Sequence, residues 1–293
     1  MNPFVFIVGA PRSGTTLLRR MVDAHRDIAV TRETHWITKV LEGENAVSPD
    51  APATPEVLAR LRAHRKFART EVDGPALDRL VARAAPVSYA ELITKVFDLY
   101  GEAQGKRLVG DKVPDYVRNL PLLHRLWPAA KFVHLIRDGR DVCLSMLTRE
   151  RFARRFPTWQ EDPISTAARS WDHLVRRGRE AGAALPAGLY HEVRNERLVE
   201  DPAAECRVLC DFLGVPYDER MLSFHEGRTR DEPGLDAKSA WRPVTSGLRS
   251  WRTEMAPADV ERFEAAAGDL LDELGYPRAV PDPAPAAGRR SAG

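Results

Sequence analysis

The chain has 293 residues, which is enough for one large α/β domain or two small ones. Its 44 basic and 42 acidic side chains leave a formal net charge of +2, and this balance gives no indication of a nucleic-acid partner. No apolar run reaches the length of about 18 residues that a membrane-spanning helix needs.

The cysteines and the first residues bear on the cellular compartment. Cys206 and Cys210 lie one turn apart on a predicted helix, and the three cysteines show no spacing typical of a metal site or a disulfide. Together with Cys143 they are expected to be reduced core residues. The apolar start at Phe4 has neither a basic leader nor a cleavage site, so the cytoplasm is the expected compartment.

The beginning of the chain predicts a strand, a phosphate loop and a helix. Residues 4–8 form a short apolar run typical of a buried strand, and an apolar-periodic helix is expected over about 14–24. Gly9 and Gly14 have the G-x-x-x-x-G spacing of a P-loop, with Thr16 at the Ser or Thr position. Half of the nucleoside triphosphate pattern is therefore present.

The lysine of that pattern is missing, because Thr15 occupies its position. Kinases and ATPases use this lysine to contact the β and γ phosphates, so its absence argues against ordinary nucleoside triphosphate chemistry. What the sequence predicts here is an anion-binding loop that carries Arg12 and three hydroxyl groups.

Strands alternate with helices along the rest of the chain. The expected elements are a strand near 28–30, a helix over 56–69, helical pieces over 75–104 broken near Pro86, a strand end with a turn at 109–114, a strand at 131–136, and a helix from there to about 149. They continue with a helix at 163–183, a strand at 189–194, a helix opening at Asp201-Pro202 and ending at Gly214, and a last helix at 257–274.

This order predicts an α/β fold of three layers, with a central, mainly parallel sheet flanked by helices on both faces. We expect a single domain over residues 1–278 and a disordered tail over 279–293, which is rich in Pro, Ala, Gly and Arg. Ligands in such sheets bind at the carboxyl ends of strands. Both the first loop and the turn that begins at Arg137 are therefore expected at a binding site.

Two separated motifs, Pro11–Thr16 and Arg137–Ser145, resemble those of the sulfotransferases that use 3′-phosphoadenosine 5′-phosphosulfate (PAPS). The likeness is closest to the tyrosylprotein sulfotransferase branch and its bacterial relatives, and it extends from Phe4 to about Trp251. It implies a P-loop-like fold and an enzyme that transfers a sulfuryl group. It also implies PAPS as the cofactor and no requirement for a metal.

The resemblance assigns the first loop to the 5′-phosphosulfate. Backbone amides at a helix N-terminus suit an anion, and Arg12 adds charged donors towards the transferring group. The other residues assigned to this part of the cofactor are Ser13, Gly14, Thr15 and Thr16.

The 3′-phosphate is assigned to Arg137 and Ser145, whose charge and hydroxyl are expected to converge on one phosphate. Arg149 stands one turn after Ser145 and matches a further cofactor contact of the tyrosylprotein branch, with Arg151 as a nearby competitor. Salt-bridge or helix-capping duty is the alternative for Arg137 and Ser145, and an ordinary surface arginine is the alternative for Arg149.

Two residues carry the predicted chemistry together with Arg12. Glu33 matches the catalytic glutamate of the tyrosylprotein branch and is expected to accept the proton of the acceptor hydroxyl. Lys112 matches the lysine that stabilises charge on the leaving phosphate. His35, two residues after Glu33, is the rival base.

The chain departs from the family pattern in two places. The Tyr-Glu-Asp-Leu type segment, whose tyrosine touches adenine, appears here with Asn195 in place of the tyrosine. In the C-terminal cofactor segment Ser250 stands where a basic residue is common, and Arg249 or Arg252 is expected to compensate. The cofactor contacts expected in that segment are Ser246, Leu248, Arg249 and Trp251.

The sequence therefore predicts a PAPS-dependent sulfotransferase acting by in-line displacement on a hydroxyl of a small metabolite, lipid, glycan or tyrosyl group. No nucleic-acid partner and no membrane insertion are expected, and a homodimer is possible. Two alternatives stay open at this point. One is a non-catalytic module of the same fold that binds the nucleotide, and the other is a P-loop kinase.

Overall fold

The computed structural model describes residues 2–41, 52–70, 72, 74–83, 87–226, 244 and 250–279. Within them, five strands form one sheet in the order β2-β3-β1-β4-β5, and every pairing between neighbouring strands is parallel. The mainly parallel sheet predicted from the sequence is confirmed. The strands are β1 (Val5–Gly9), β2 (Ile28–Thr31), β3 (Leu108–Lys112), β4 (Lys131–Ile136) and β5 (Tyr190–Arg194).

Helices connect and follow these strands. None of those in the described part of the chain combines the length and the apolar character needed to cross a membrane. They are α1 (Thr15–Asp23), α2 (Trp36–Lys39), α3 (Pro55–Ala63), α4 (Gly74–Arg83), α5 (Tyr89–Gln104), α6 (Leu120–Leu126), α7 (Gly139–Leu147), α8 (Glu150–Arg155), α9 (Pro163–Ala183), α10 (Asn195–Glu200), α11 (Pro202–Leu213), α12 (Trp251–Glu254) and α13 (Pro257–Glu273), with 3₁₀ turns at Phe67–Thr70, Pro114–Arg118, Pro157–Trp159 and Glu219–Met221.

Side-chain caps fix several helix starts where the sequence predicts them. Thr54 Oγ1 accepts the amide of Val57, and Ser88 forms a reciprocal capping box with Glu91. Asp201 caps α11 by accepting the amide of Ala204 at 3.0 Å. Each cap satisfies amides that have no carbonyl partner in the first turn of the helix.

Two predicted helices are wrong in their extent. The helix expected over 56–69 ends at Ala63, because His64 adopts an extended conformation and its Nδ1 accepts the amide of Lys66. The helix expected to reach Arg149 ends at Leu147, and Arg149 is also extended before α8 begins. In both places the short connection that ends the helix, residues 64–66 and 148–149, contains an extended residue.

The residues pack into two compact units, which are described separately: residues 1–137 with 174–248, and residues 138–173 with 249–293. That residues 1–278 form a single domain stays a prediction. The tail predicted to be disordered lies outside the described residues except for Ala279.

In the first unit, both faces of the sheet are covered. On one face Phe6 of β1 lies 5.6 Å from Phe132 and 5.7 Å from Trp127 between ring centroids. On the other face the odd-numbered side chains of β1 join a buried apolar cluster with α1 and α11 that includes Val5, Ile7, Leu18, Met21, Cys206, Leu209 and Cys210. The expected reduced core cysteines are confirmed, since all three are free and buried.

The second unit is built around the fully buried Arg140. Its guanidinium donates to Asp138 Oδ2 at 2.7 Å and to Glu264 Oε1 at 2.6 Å. The ring of Trp251 lies 3.7 Å from the guanidinium carbon. Buried charge is tolerated here because the guanidinium has carboxylates and an aromatic face around it.

Candidate active site

The parallel sheet of the first unit brings the carboxyl ends of its strands to one edge. The phosphate loop follows β1, Glu33 comes shortly after β2, and Lys112 is the last residue of β3. Arg137 directly follows β4, and Asn195 directly follows β5. Residues far apart in the chain are thus collected at the edge where open α/β sheets bind their ligands.

The loop after β1 depends on two glycines. Gly9 has φ +151° and Gly14 has φ +100°, and a Cβ built on Gly9 would stand 2.4 Å from the carbonyl oxygen of Leu135. Arg12 also has a positive φ of 78°, which is uncommon for a residue with a side chain. The loop is therefore held in a conformation that few sequences adopt, with Thr15 and Thr16 as the first residues of the helix behind it.

Ser13 supplies an observation that points to a ligand. Its side chain is fully buried, and in the described part of the chain its Oγ has no hydrogen-bond partner. A buried hydroxyl without a partner costs about 1–3 kcal/mol. An anion bound in the loop would satisfy this hydroxyl, and the amides at the start of α1 would add further donors.

The second part of the site is centred on the carboxylate of Glu33. Lys112 Nζ donates to Oε1 at 2.7 Å, and Lys66 Nζ lies 3.5 Å from Oε2. His35 Nε2 lies 3.2 Å from the same Oε2. The Lys112 side chain is only 6% exposed and that of Lys66 13%, so two nearly buried cations face one carboxylate.

These contacts shift the pKa values of Glu33 and Lys112. Burial raises the pKa of Glu33, but the hydrogen bond from His35 and the charges of Lys112 and Lys66 outweigh it and hold the pKa well below its ordinary value. Burial lowers the pKa of Lys112, and the neighbouring Glu33 carboxylate opposes this effect. Glu33 is therefore an ionised but weakly basic carboxylate in this arrangement.

A buried aspartate fixes the segment that carries Glu33. Asp111 is fully buried and accepts hydrogen bonds from Thr31 Oγ1 at 2.7 Å and Thr34 Oγ1 at 2.6 Å. The Tyr116 hydroxyl lies 3.1 Å from Thr34 Oγ1. Burial raises the pKa of Asp111 to about 6. These bonds connect the end of β2 to the end of β3, next to Lys112.

The residues predicted for the 3′-phosphate lie in the stretch of chain that follows β4. Arg137 is half-buried at the end of β4, and Ser145 is buried on α7. Arg149 lies just before α8, where its amide donates to the carbonyl of Met146. The expected convergence of Arg137 and Ser145 on one phosphate stays a prediction.

The predicted C-terminal cofactor segment is described only from Ser250. Within the second unit two guanidinium groups contact the ring of Trp251, those of Arg140 at 3.7 Å and Arg252 at 4.3 Å from its centroid. Its amide donates to Asp141 Oδ1 at 2.8 Å. Trp251 thus has a packing role in its own unit, and its role towards a cofactor stays a prediction. Outside the described residues lie Ser246, Leu248 and Arg249.

A family model described as the sulfotransferase family matches residues 3–219, which include the loop, Glu33, Lys112 and the end of β5. The chain belongs to the sulfotransferase family. The resemblance inferred from the two sequence motifs is confirmed, and with it the prediction that the chain is an enzyme of this class.

Relatives and solved structures agree with this assignment. Protein-tyrosine sulfotransferase 1 of Danio rerio is 29% identical over 289 residues, covering 95% of this chain and 74% of the relative. The sulfotransferase domain of the Synechococcus PCC 7002 olefin synthase has a TM-score of 0.65 at 24% identity, covering 90% of this chain and 94% of that domain. Mouse sulfotransferase SULT7A1, solved in complex with PAP, has a TM-score of 0.50 at 13% identity, with 94% and 84% covered. The predicted P-loop-like fold is confirmed.

Sequence reasoning missed several side chains of this sulfotransferase site. Lys66 comes from the segment after α3 and has no motif around it, and Asp111 was noted only as part of a turn. Asn195 was noted only for replacing a tyrosine. Tyr190 lies five residues before Asn195, and its hydroxyl is hydrogen-bonded with His134 Nδ1 at 2.7 Å.

Proposed function

We propose that this sulfotransferase transfers the sulfuryl group of PAPS to an acceptor hydroxyl, with Glu33 as the base. The observation that carries the proposal is the pairing of two groups at one sheet edge. One is an anion loop with an unsatisfied buried hydroxyl, Ser13, and the other is a carboxylate held by a buried lysine, Glu33 with Lys112.

The residues present fit an adenosine phosphosulfate. Ser13 and the amides of the first turn of α1 would hold the 5′-phosphosulfate with Arg12, and Arg137 and Ser145 would hold the 3′-phosphate. PAPS, when bound, supplies a sulfuryl group that is already activated for transfer by its bond to a phosphate oxygen. Support comes from the mouse sulfotransferase of the same fold, which was solved with PAP.

Lys112 has two tasks in this mechanism. An ammonium group has three N–H donors, so Nζ can keep its 2.7 Å bond to Glu33 and still donate to an anion in the neighbouring loop. Donation to the departing phosphate oxygen stabilises the negative charge that develops there, commonly the largest contribution to catalysis of this kind.

Glu33 becomes a better base when an anion also accepts from Lys112 and shares its positive charge. The carboxylate then loses part of the positive charge that lowers its pKa, and its affinity for the acceptor proton rises. Binding of PAPS would thus raise the basicity of Glu33, so that the base is strongest when a sulfuryl group is present for transfer. A carboxylate within hydrogen-bond reach of the acceptor hydroxyl is what general base catalysis requires.

His35 acts with Glu33 in this proposal. Its Nε2 lies 3.2 Å from Glu33 Oε2, and its backbone is left-handed, with φ 55°, at the start of α2. The imidazole contacts Oε2 and is therefore positioned to orient the carboxylate, while Lys112 binds the other oxygen, Oε1. Glu33 and His35, the two candidate bases predicted from the sequence, thus form one hydrogen-bonded pair.

The acceptor is proposed only as a hydroxyl compound. The Danio rerio relative is named a protein-tyrosine sulfotransferase, which supports a phenolic hydroxyl as the first class to test. Small metabolites, lipids and glycans with hydroxyl groups complete the panel. Transfer of ³⁵S from labelled PAPS to each acceptor class identifies the substrate directly.

Cofactor binding tests the proposal without knowledge of the acceptor. The melting temperature is measured with PAP and, separately, with ATP and Mg²⁺. We expect stabilisation by PAP, since a ligand that binds only the folded state raises the melting temperature. Stabilisation by ATP and Mg²⁺ without any by PAP would favour a kinase and contradict the proposal.

The base is tested by Glu33→Gln, which keeps the shape of the side chain and removes the negative charge. We expect label transfer to fall by about 100-fold or more, the usual contribution of a general base, while PAP binding is retained. Glu102→Gln, at an exposed position on α5, is the matched control and should leave transfer unchanged. Full activity of Glu33→Gln would show that another group accepts the proton.

A further inference from the structure

Asn195 lies against the phosphate loop. It is the first residue of α10 and directly follows β5, so it stands at the same sheet edge as the loop. A Cβ built on Gly14 would stand 2.2 Å from Asn195 Oδ1 and 3.2 Å from its Cγ. The side-chain amide therefore occupies the space directly beside Gly14, the residue that precedes α1.

The chemistry of this amide suits an anion site. It has a carbonyl oxygen and an NH₂ group in one plane, and the oxygen already faces Gly14. The hydrogen bonds of the described residues include none from this amide. Its two N–H donors are thus available close to the loop that would hold the 5′-phosphosulfate. The residue is half-buried, so part of it is open to solvent.

We propose that Asn195 is a further binding residue for the 5′-phosphosulfate, with its carbonyl packed beside Gly14 and its N–H groups donated to the anion. The inference rests on the proposed use of PAPS. It differs from what the resemblance implies for this position, where the tyrosine of the family touches adenine. In this chain the side chain at position 195 serves the phosphate side of the cofactor.

Neutrality is essential to this role. A carboxylate in the same place would repel the phosphosulfate at short range, where charges interact strongly because little water separates them. Asn195→Asp changes only the amide to an acid and is therefore the sharpest variant. Asn195→Ala removes the donors without adding charge. Gln104→Glu makes the same chemical change at the exposed end of α5, far from the carboxyl ends of the strands, and is the matched control.

The experiment compares two nucleotides by calorimetry. PAP carries both phosphates, whereas adenosine 3′-monophosphate lacks the 5′-phosphate. We expect Asn195→Asp to weaken PAP binding by at least about tenfold and Asn195→Ala by about threefold, from repulsion and from the lost hydrogen bond respectively. Binding of adenosine 3′-monophosphate should change less than twofold in both, and Gln104→Glu should bind both nucleotides like the wild type.

Each other outcome has a distinct meaning. Equal weakening of both nucleotides would place Asn195 at the adenine and overturn the inference, as would unchanged PAP binding in both variants. Failure of the wild-type chain to bind PAP would instead contradict the proposed function. Melting temperatures of the free variants establish that they are folded, and Asn195→Ala decides the question if Asn195→Asp is not.

Discussion

Two lysines and a histidine surround the carboxylate of Glu33, and the lysine charges together with the histidine hydrogen bond decide how basic it is. Lys112 has a counterpart in the sequence motifs, whereas Lys66 reaches the carboxylate from the segment that follows α3. The sequence predicted Glu33 and Lys112 through resemblance alone, because 79 residues separate them and no local pattern relates them. Lys66 could not be predicted, since its position depends on how the chain turns at His64.

Lys66 contributes to the low pKa of Glu33, so its removal should raise that pKa. In Lys66→Met the carboxylate loses one nearby cation while burial, which favours the protonated form, stays. We expect the ¹³C chemical shift of the Glu33 carboxyl to titrate at a higher pH than in the wild type. Lys95→Met, on α5, is the control and should leave the titration unchanged. Identical curves in all three proteins would show that Lys66 does not act on Glu33.

At the scale of elements, local sequence patterns were sufficient to predict the bounds of a strand or helix where those patterns were strong. The strand at 131–136 and the helix at 163–183 have the predicted bounds, because the strand is mainly apolar and the helix is long and periodic. The short helices α2, α6 and α8 were missed. They span four to seven residues, too few for a periodic pattern. Their conformations depend on tertiary contacts that the sequence does not show.

The packing of α9 on the sheet gives a prediction at this scale. A Cβ on Gly178 would stand 2.4 Å from a methyl of Val117 and 2.5 Å from the ring of His134. Alanine normally stabilises a helix relative to glycine by about 0.5–1 kcal/mol. We nevertheless expect Gly178→Ala to lower the free energy of unfolding by about 1–3 kcal/mol, because overpacking outweighs helix propensity.

Urea denaturation measures this effect. Gly74→Ala, at the start of α4, is the matched control, since a Cβ there meets only a guanidinium nitrogen of Arg62 at 3.8 Å. It should be neutral or slightly stabilising. A Gly178→Ala protein as stable as the wild type would mean that α9 can shift away from the sheet at little cost.

At the scale of the whole molecule, the second unit depends on a buried cation. Arg140→Met leaves the buried carboxylates of Asp138 and Glu264 without their guanidinium partner. We expect the free energy of unfolding to fall by about 3–5 kcal/mol. Hydrogen exchange should show lost protection over 138–173 and 250–279. Arg262→Met, which removes a half-exposed arginine of α13, should change stability by less than about 0.5 kcal/mol.

Two buried groups make stability depend on pH with opposite signs. Burial lowers the pKa of His134 to about 3, so the stability it contributes is present above about 6.5 and is lost as the pH falls from there towards 3. The pKa of Asp111 is raised to about 6, so its contribution is present below about 3.8 and is lost as the pH rises through 6.

The two contributions can be separated by unfolding in urea at pH 7.5, 6.5 and 5.5. The slope from one such group is at most about 1.4 kcal/mol per pH unit. Between pH 6.5 and 5.5, His134→Asn should lose less stability than the wild type, and Asp111→Asn should lose more. Three parallel curves would show that neither group has a shifted pKa in the folded chain.

The paired contacts at the ends of β2 and β3 also select the alignment of the chain. Thr34 binds Asp111 while its neighbour Glu33 binds Lys112, so two consecutive residues match two consecutive residues. A slip in which Glu33 takes the place of Thr34 would set its carboxylate against that of the fully buried Asp111, and like charges in a poorly hydrated place repel strongly. The charged groups proposed for catalysis thus also disfavour this misaligned arrangement of the chain, and they do so without any substrate.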